Sequence, residues 1–312
     1  MHVSAPSGAE PSGPSGLQAG PHPAIPVEAA GLSLFRSSEY LLVLYFALAA
    51  ARTAARGSFA FSLVDLCVPL IFATLALAER RVPRMWVSVL RDWMPMPFLL
   101  LAYWNVDWIA QAPSTGGSEQ RWIVWDRLLL YGWGGRRAIE CCGALLPSLL
   151  ELSYLVLYAV PPVLLGVIYL SGRRHRVDRF LFTLFAGALT AYALLPLFPS
   201  ASPRELYPGQ DLPSVMTVFR RINLWLLDSF DIHASVFPSG HVAVAFSAAF
   251  GAMRVLPERR LLGRLLLAFA ALVTINTVYA RYHYAVDGLA ALAISLVAFH
   301  FSRVLDQRSS RE

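Results

Sequence analysis

Residues Leu261–Tyr279 read LLGRLLLAFAALVTINTVY, a run of 19 residues whose one charge, Arg264, lies near its start. A helix rises about 1.5 Å per residue, so this run would span roughly 28 Å, close to the ~30 Å hydrocarbon core of a bilayer. Arg264 can extend its charged head to the interface while its stem stays in the apolar layer. Seven further apolar segments lie outward from it, at about 37–55, 58–78, 87–105, 143–170, 180–198, 238–255 and 284–302. The first and the sixth are weaker, being alanine-rich and interrupted or flanked by polar residues. The count is eight spans, or seven if the first lies in the interface. The expected fold is an all-α, polytopic membrane helix bundle.

Composition points the same way. Hydrophobic residues make up 56% of the 312 and charged residues 15%, against roughly 25% charged in a soluble protein. The 26 basic residues are all arginine, and the net charge is +6. These arginines sit mainly between apolar runs, so the anionic lipid surface, and not nucleic acid, is the expected partner. Cys67 lies inside an apolar run and Cys141 and Cys142 are adjacent, which gives no disulfide framework. Residues 1–34 are rich in Pro, Gly, Ser and Ala, lack arginine, and read as a disordered tail. The division that follows is 1–34 tail, 35–86 N-terminal transmembrane helices, 87–302 membrane domain and 303–312 C-terminal tail.

Arginine placement sets the expected orientation. The face holding both termini and the short loops near 79–86, 171–179 and 254–264 carries 15 arginines. The opposite face carries 10, although its loops near 113–142 and 199–237 are much longer. The termini are therefore expected in the cytoplasm and the two long loops outside, in the plasma (inner) membrane.

Three polar clusters then fall at segment ends on that outer face. Tyr192, Pro196, Pro199, Pro203 and Arg204 close the fifth segment. Phe237-Pro238-Ser239-Gly240-His241 opens the sixth, and Arg281-Tyr282-His283 with Asp287 lies between the seventh and eighth. Pro238 suits the first turn of a helix, where its missing N–H costs nothing. The N–H groups of Ser239, Gly240 and His241 would then lack intrahelical acceptors and form a cradle for phosphate. A plain helix start with Ser as cap reads the same residues equally well. His283 and Asp287 are four apart, so a helix would put them on one face. A carboxylate on one imidazole nitrogen leaves the other free to attack. A carboxylate near lipid is costly, which favours a functional reading over a structural His–Asp pair. Arg204 and Arg281 are candidate guanidinium donors to phosphate oxygens, or interfacial anchors.

Taken together, Pro-Ser-Gly-His and, 42 residues on, His-x-x-x-Asp resemble the second and third signatures of the type 2 phosphatidate phosphatase superfamily, which includes vanadium haloperoxidases. Tyr192 to Arg204 and His283-Tyr284 are similar to its inositol phosphorylceramide synthase branch, as are, more weakly, Arg91-Asp92-Trp93 and Asp126-Arg127-Leu128-Leu129. The resemblance covers about residues 87–302 and implies a six-helix phosphatase-like core. It implies that His283 attacks phosphorus to form a phosphohistidine, that Asp287 orients it, and that His241 protonates the leaving group and then activates the acceptor. Arg204, Ser239, Gly240 and Arg281 would hold phosphate. No metal or other cofactor is implied. The expected substrate is a phospholipid or lipid phosphate, with a polyol such as inositol as acceptor.

The phosphatase form of the first signature carries a Lys and an Arg-Pro pair, whereas this chain has no lysine and reads Pro203-Arg204. The third signature usually has an Arg six residues before its His, where Thr277 stands. Both departures favour the synthase-like branch over simple phosphatases. The competing class is a non-enzymatic phospholipid-binding carrier or scaffold, which would need arginines but not a His–Asp pair. His175, His233 and His300 are weaker candidates. Leu212 to Phe230 has apolar residues at helical spacing and reads either as an amphipathic helix on the membrane beside the site or as a packed lid with no membrane contact.

Overall fold

The computed structural model describes residues 1–2, 34–82, 84–110 and 117–309. The chain divides into Met1–Ser33 and Leu34–Glu312, and the architecture below is that of the second unit. The disordered tail expected at 1–34 lies almost wholly outside the described residues.

Every regular element among the described residues is helical. The α-helices are α1 (Ser37–Ala55), α2 (Phe59–Arg81), α3 (Met85–Trp93), α4 (Pro95–Ile109), α5 (Ser118–Arg127), α6 (Gly135–Glu140) and α7 (Leu145–Val156), followed by α8 (Val160–Leu170), α9 (Val177–Leu194), α10 (Pro203–Leu206), α11 (Val218–Phe230), α12 (Gly240–Val255), α13 (Arg260–Tyr279) and α14 (Ala285–Ser309). Five stretches are long and apolar enough to cross a bilayer: Phe59–Arg81, Leu145–Leu170, Arg174–Leu197, Arg260–Tyr279 and Ala285–Leu305. The second of these joins α7 and α8 through a single 3-10 turn, Leu157–Ala159. α12 is shorter, Gly240–Val255. The segment expected at 87–105 is interrupted at Met94, where α4 starts with proline at its first position. α14 runs on to Ser309, so the stretch counted as a C-terminal tail is largely helical.

α12 is the central helix, buried along nearly its whole length against α9, α13 and α14. Lipid tails are as apolar as leucine, so close helix approach depends on small residues and not on a hydrophobic difference. The sequence supplies them. A Cβ on Gly187 of α9 would lie 1.9 Å from Ser247 Oγ of α12, and Ser247 Oγ donates to Ser295 Oγ of α14 at 3.0 Å. Gly251 meets the Phe180 ring in the same way.

Two polar layers tie the bundle at its ends. At one end Arg36 pairs with Glu79 and Asp92, Arg91 with Glu39 and Glu79, and Arg174 with Asp92. The Arg91-Asp92 pair noted in the sequence belongs to this layer. At the other end Arg52 of α1 and Arg56, just after it, donate to the carbonyls of Ile109 and Ala110. Asp107 of α4 accepts the N–H groups of His233 and Ala234. The three polar clusters meet at this second end.

Candidate active site

α12 begins at Gly240, with Ser239 as its cap; the Ser239 hydroxyl accepts from the Val242 N–H at 3.4 Å. Pro238 therefore precedes the cap instead of filling the first helical turn, and the Phe237–Pro238 peptide is cis. The Ser239 N–H is not open for an anion either, since it donates to the Asp287 carbonyl at 3.2 Å. Of the expected cradle, Gly240 and His241 remain in the first turn, where no intrahelical acceptor precedes them. Gly240 is glycine for a local reason: a Cβ there would sit 2.8 Å from Cε1 of Tyr192. That absence lets the helix start against the end of α9, where the first cluster begins. His241 is 7% exposed. Its Nε2 is 2.9 Å from the Tyr158 hydroxyl and 3.2 Å from that of Tyr154.

α14 begins only at Ala285, so His283 lies just before the helix and not on its face. The expected pairing with Asp287 nevertheless forms: His283 Nδ1 is 3.3 Å from Asp287 Oδ2 and 3.0 Å from the Val236 carbonyl. A carbonyl oxygen only accepts, so Nδ1 carries the proton and Nε2 keeps its lone pair. Asp287 Oδ2 also accepts the Tyr284 N–H at 2.9 Å, which fixes the carboxylate. Arg281 adopts φ +70°, turning the chain between α13 and α14. The His241 and His283 ring centroids are 6.1 Å apart.

A polar cavity of about 20 Å³ lies between the two rings, lined among others by Ser202, Arg204, Glu205, Asp231, Gly240, His241 and His283. That volume holds about one water, so a phosphate group enters only if the wall gives. Arg204, from α10, reaches the cavity as expected, but Nη1 is 3.1 Å from Asp228 and Nη2 is 4.0 Å from Asp231. Asp231 was not legible as a site residue; it stands in the loop after α11 and bonds the Tyr103 hydroxyl and the Ile232 N–H. Burial pushes its carboxyl above the usual range, against the lowering effect of its Tyr103 hydrogen bond. Tyr154 and Tyr158 were also missed, although their spacing of four inside an apolar segment puts both on one helix face.

Arg281 lies elsewhere. Its side chain is fully buried, 3.9 Å from Asp126 and 3.8 Å from Asp211, and it is not among the residues lining the polar cavity. Burial pulls its pKa below that of a free guanidinium. The same burial raises Asp126 to about 7, with the Ala285 N–H and Arg281 acting against the rise. Of the other histidines, His233 is anchored on Asp107 by its N–H while its ring is exposed, and His175 lines a cavity at the opposite end of the bundle. His300 lies far along α14. No group of three or more His, Cys, Asp or Glu among the described residues is placed to hold a metal ion.

A second, apolar cavity of about 290 Å³ adjoins the first. Met96, Leu99, Leu100, Leu157, Pro161 and Val244 are among its walls, and Tyr103 and His241 belong to both cavities. His283 lines only the polar one. Leu100 and Tyr158 at its rim are exposed on the outside of the bundle.

The chain is 28% identical over 128 residues to a PA-phosphatase related-family protein of Dictyostelium discoideum. That match takes in 39% of this chain and spans only 22% of the relative's length. No solved structure matches. The PAP2 superfamily profile matches residues 125–301, more than half of the chain and all three polar clusters; the chain belongs to the PAP2 superfamily.

Proposed function

We propose that this protein is a metal-independent lipid phosphatase or phosphotransferase of the inositol phosphorylceramide synthase-like branch, with its site on the extracytoplasmic side. One observation carries the reading: the polar cavity holding both histidines meets the apolar cavity at His241. In-line transfer puts the nucleophile and the leaving group on opposite sides of phosphorus. With His283 as nucleophile, the leaving oxygen lies on the His241 side, and that side opens onto an apolar space suited to acyl chains.

The steps follow from the hydrogen bonds. Nε2 of His283, freed by the bonds at Nδ1, attacks phosphorus. The bond from phosphorus to the lipid oxygen breaks, and protonated His241 gives its proton to that oxygen. In the second step an acceptor hydroxyl gives its proton to His241, now neutral. Its oxygen bonds phosphorus, and the electron pair of the broken P–N bond returns to Nε2. Water as acceptor gives hydrolysis and a polyol such as inositol gives transfer. Arg204 and the N–H groups of the first turn of α12 are the donors for charge on the equatorial oxygens. The alternative, a phospholipid-binding carrier, does not use the free Nε2.

The test is to incubate purified protein with phosphatidate and with phosphatidylinositol, with and without inositol, and to follow diacylglycerol release. His283→Ala is expected to abolish release while its thermal unfolding stays close to wild type. Full activity in that variant, or none in wild type with any phospholipid, would overturn the reading.

A further inference from the structure

The cavity at the two histidines is unusually acidic for a phosphate site. One guanidinium, Arg204, faces it together with two carboxylates, Glu205 and Asp231. The Glu205 carboxylate is committed to the Ser202 N–H at 3.2 Å. Asp231 spends Oδ1 on Tyr103 and Ile232 and directs Oδ2 at Arg204. Asp228 holds the other side of the same guanidinium. Arg281, the second cation expected here, lies away against Asp126 and Asp211, and the chain contains no lysine. An incoming phosphate therefore finds its single arginine already held by acidic partners, with the Asp231 carboxyl beside it.

We propose that Asp231 is a specificity-determining residue that selects by charge, disfavouring doubly charged phosphomonoesters and admitting singly charged phosphodiesters. A monoester carries close to two negative charges at neutral pH, since its second pKa is near 6, whereas a diester carries one. Both must draw Arg204 away from Asp228 and Asp231 to bind, and both feel the Asp231 carboxylate. The second charge of the monoester doubles that repulsion inside a cavity where water screens poorly. Among the groups around Asp231, Tyr103 from α4 and Tyr154 from α7 are neutral hydroxyls that do not cancel it and Asp228 from α11 adds negative charge, while the proton that His241 carries in the proposed first step is the one further positive charge at the cavity. The inference rests on reading this cavity as the phosphate site.

The experiment measures binding of methyl phosphate and dimethyl phosphate to the purified full-length protein in detergent at pH 8, by calorimetry. Wild type is expected to bind dimethyl phosphate more tightly. Asp231→Asn is expected to tighten methyl phosphate by about tenfold and to shrink the preference. Asp228→Asn, at a side chain 73% exposed and so safe for folding, should shift it in the same direction by less. A wild-type preference for methyl phosphate, binding of neither probe, or an unchanged preference in the folded Asp231→Asn protein would overturn the proposal. If Asp231→Asn does not fold, an unchanged preference in Asp228→Asn overturns it. Selective binding without phospholipid turnover would remove the catalytic reading and leave charge selection standing; turnover with equal affinity for both probes would do the reverse.

Discussion

At the residue scale, Asp126 shows how a buried acid shapes the site without touching the reacting atoms. It accepts the Ala285 N–H at 3.0 Å and so caps the helix that carries Asp287. Burial raises its carboxyl to about 7, far above the value it takes in the unfolded chain. The unfolded state therefore releases the proton near pH 4 and the folded state only near 7. Stability from this group is greatest below pH 4, falls between about 4 and 7, and is level above. Asp126→Asn keeps an oxygen acceptor for Ala285 and removes the titration. The expected result is a thermal midpoint in detergent that declines across this window in wild type and is flatter in the variant; parallel profiles would refute it. Ser239, Gly240, His241, His283 and Asp287 stand out in the sequence because they form dense local patterns, and the fold brings these residues together. Asp231, Tyr154 and Tyr158 do not stand out. Asp231 and Tyr154 reach the polar cavity from a loop and from a separate span, Tyr158 meets His241 from the apolar cavity, and no local spacing records a contact across the bundle.

At the element scale, α11 decides how the site is roofed. Arg220 and Asn223, one turn apart on its inner face, reach Glu151 of α7, with Arg220 Nη1 at 2.9 Å and Asn223 Nδ2 at 2.8 Å. Tyr282, beside His283, donates to the same carboxylate at 2.9 Å. The outer face presents Val218, Ile222 and Trp225, all exposed. The helix covers Val218–Phe230, the later part of the Leu212 to Phe230 stretch; its inner face packs against α7, and its outer face leaves the choice between a membrane-surface helix and a lid without membrane contact open. Sequence periodicity disclosed the helix, but Glu151 sits in an apolar run with nothing to announce its partners. Breaking a buried pair by removing one member leaves an uncompensated charge and typically costs about 3–5 kcal/mol. Arg220→Met should therefore lower stability by that order, exceeding the loss in the double variant Arg220→Met with Glu151→Leu. Thermal unfolding of the three proteins checks this, and equal losses in single and double variants would count against a role for the pair.

At the scale of the whole molecule, the bundle has one end that carries the histidines and another that carries the Arg36, Arg91 and Arg174 layer. The helical class and the gathering of the three clusters at one end were readable from segment lengths, because an even number of spans separates like-sided loops. Segment lengths could not disclose the break at Met94 or the start of α12 at Gly240, since both depend on the packing of neighbours. Which end faces outward rests on arginine bias, and that bias makes a direct forecast. Gln210, in the loop joined to Arg127 by a hydrogen bond at 2.9 Å, lies at the histidine end and is exposed. His175 is exposed at the other end. The native Cys141 and Cys142 are exposed near the first position, so both are replaced by serine before labelling. In intact cells a membrane-impermeant thiol reagent should then modify Gln210→Cys and spare His175→Cys until the cells are opened. Labelling of His175→Cys alone would turn the bundle over and bring the histidines to the cytoplasm. The donor lipid and acceptor would then have to come from the inner leaflet and the cell interior.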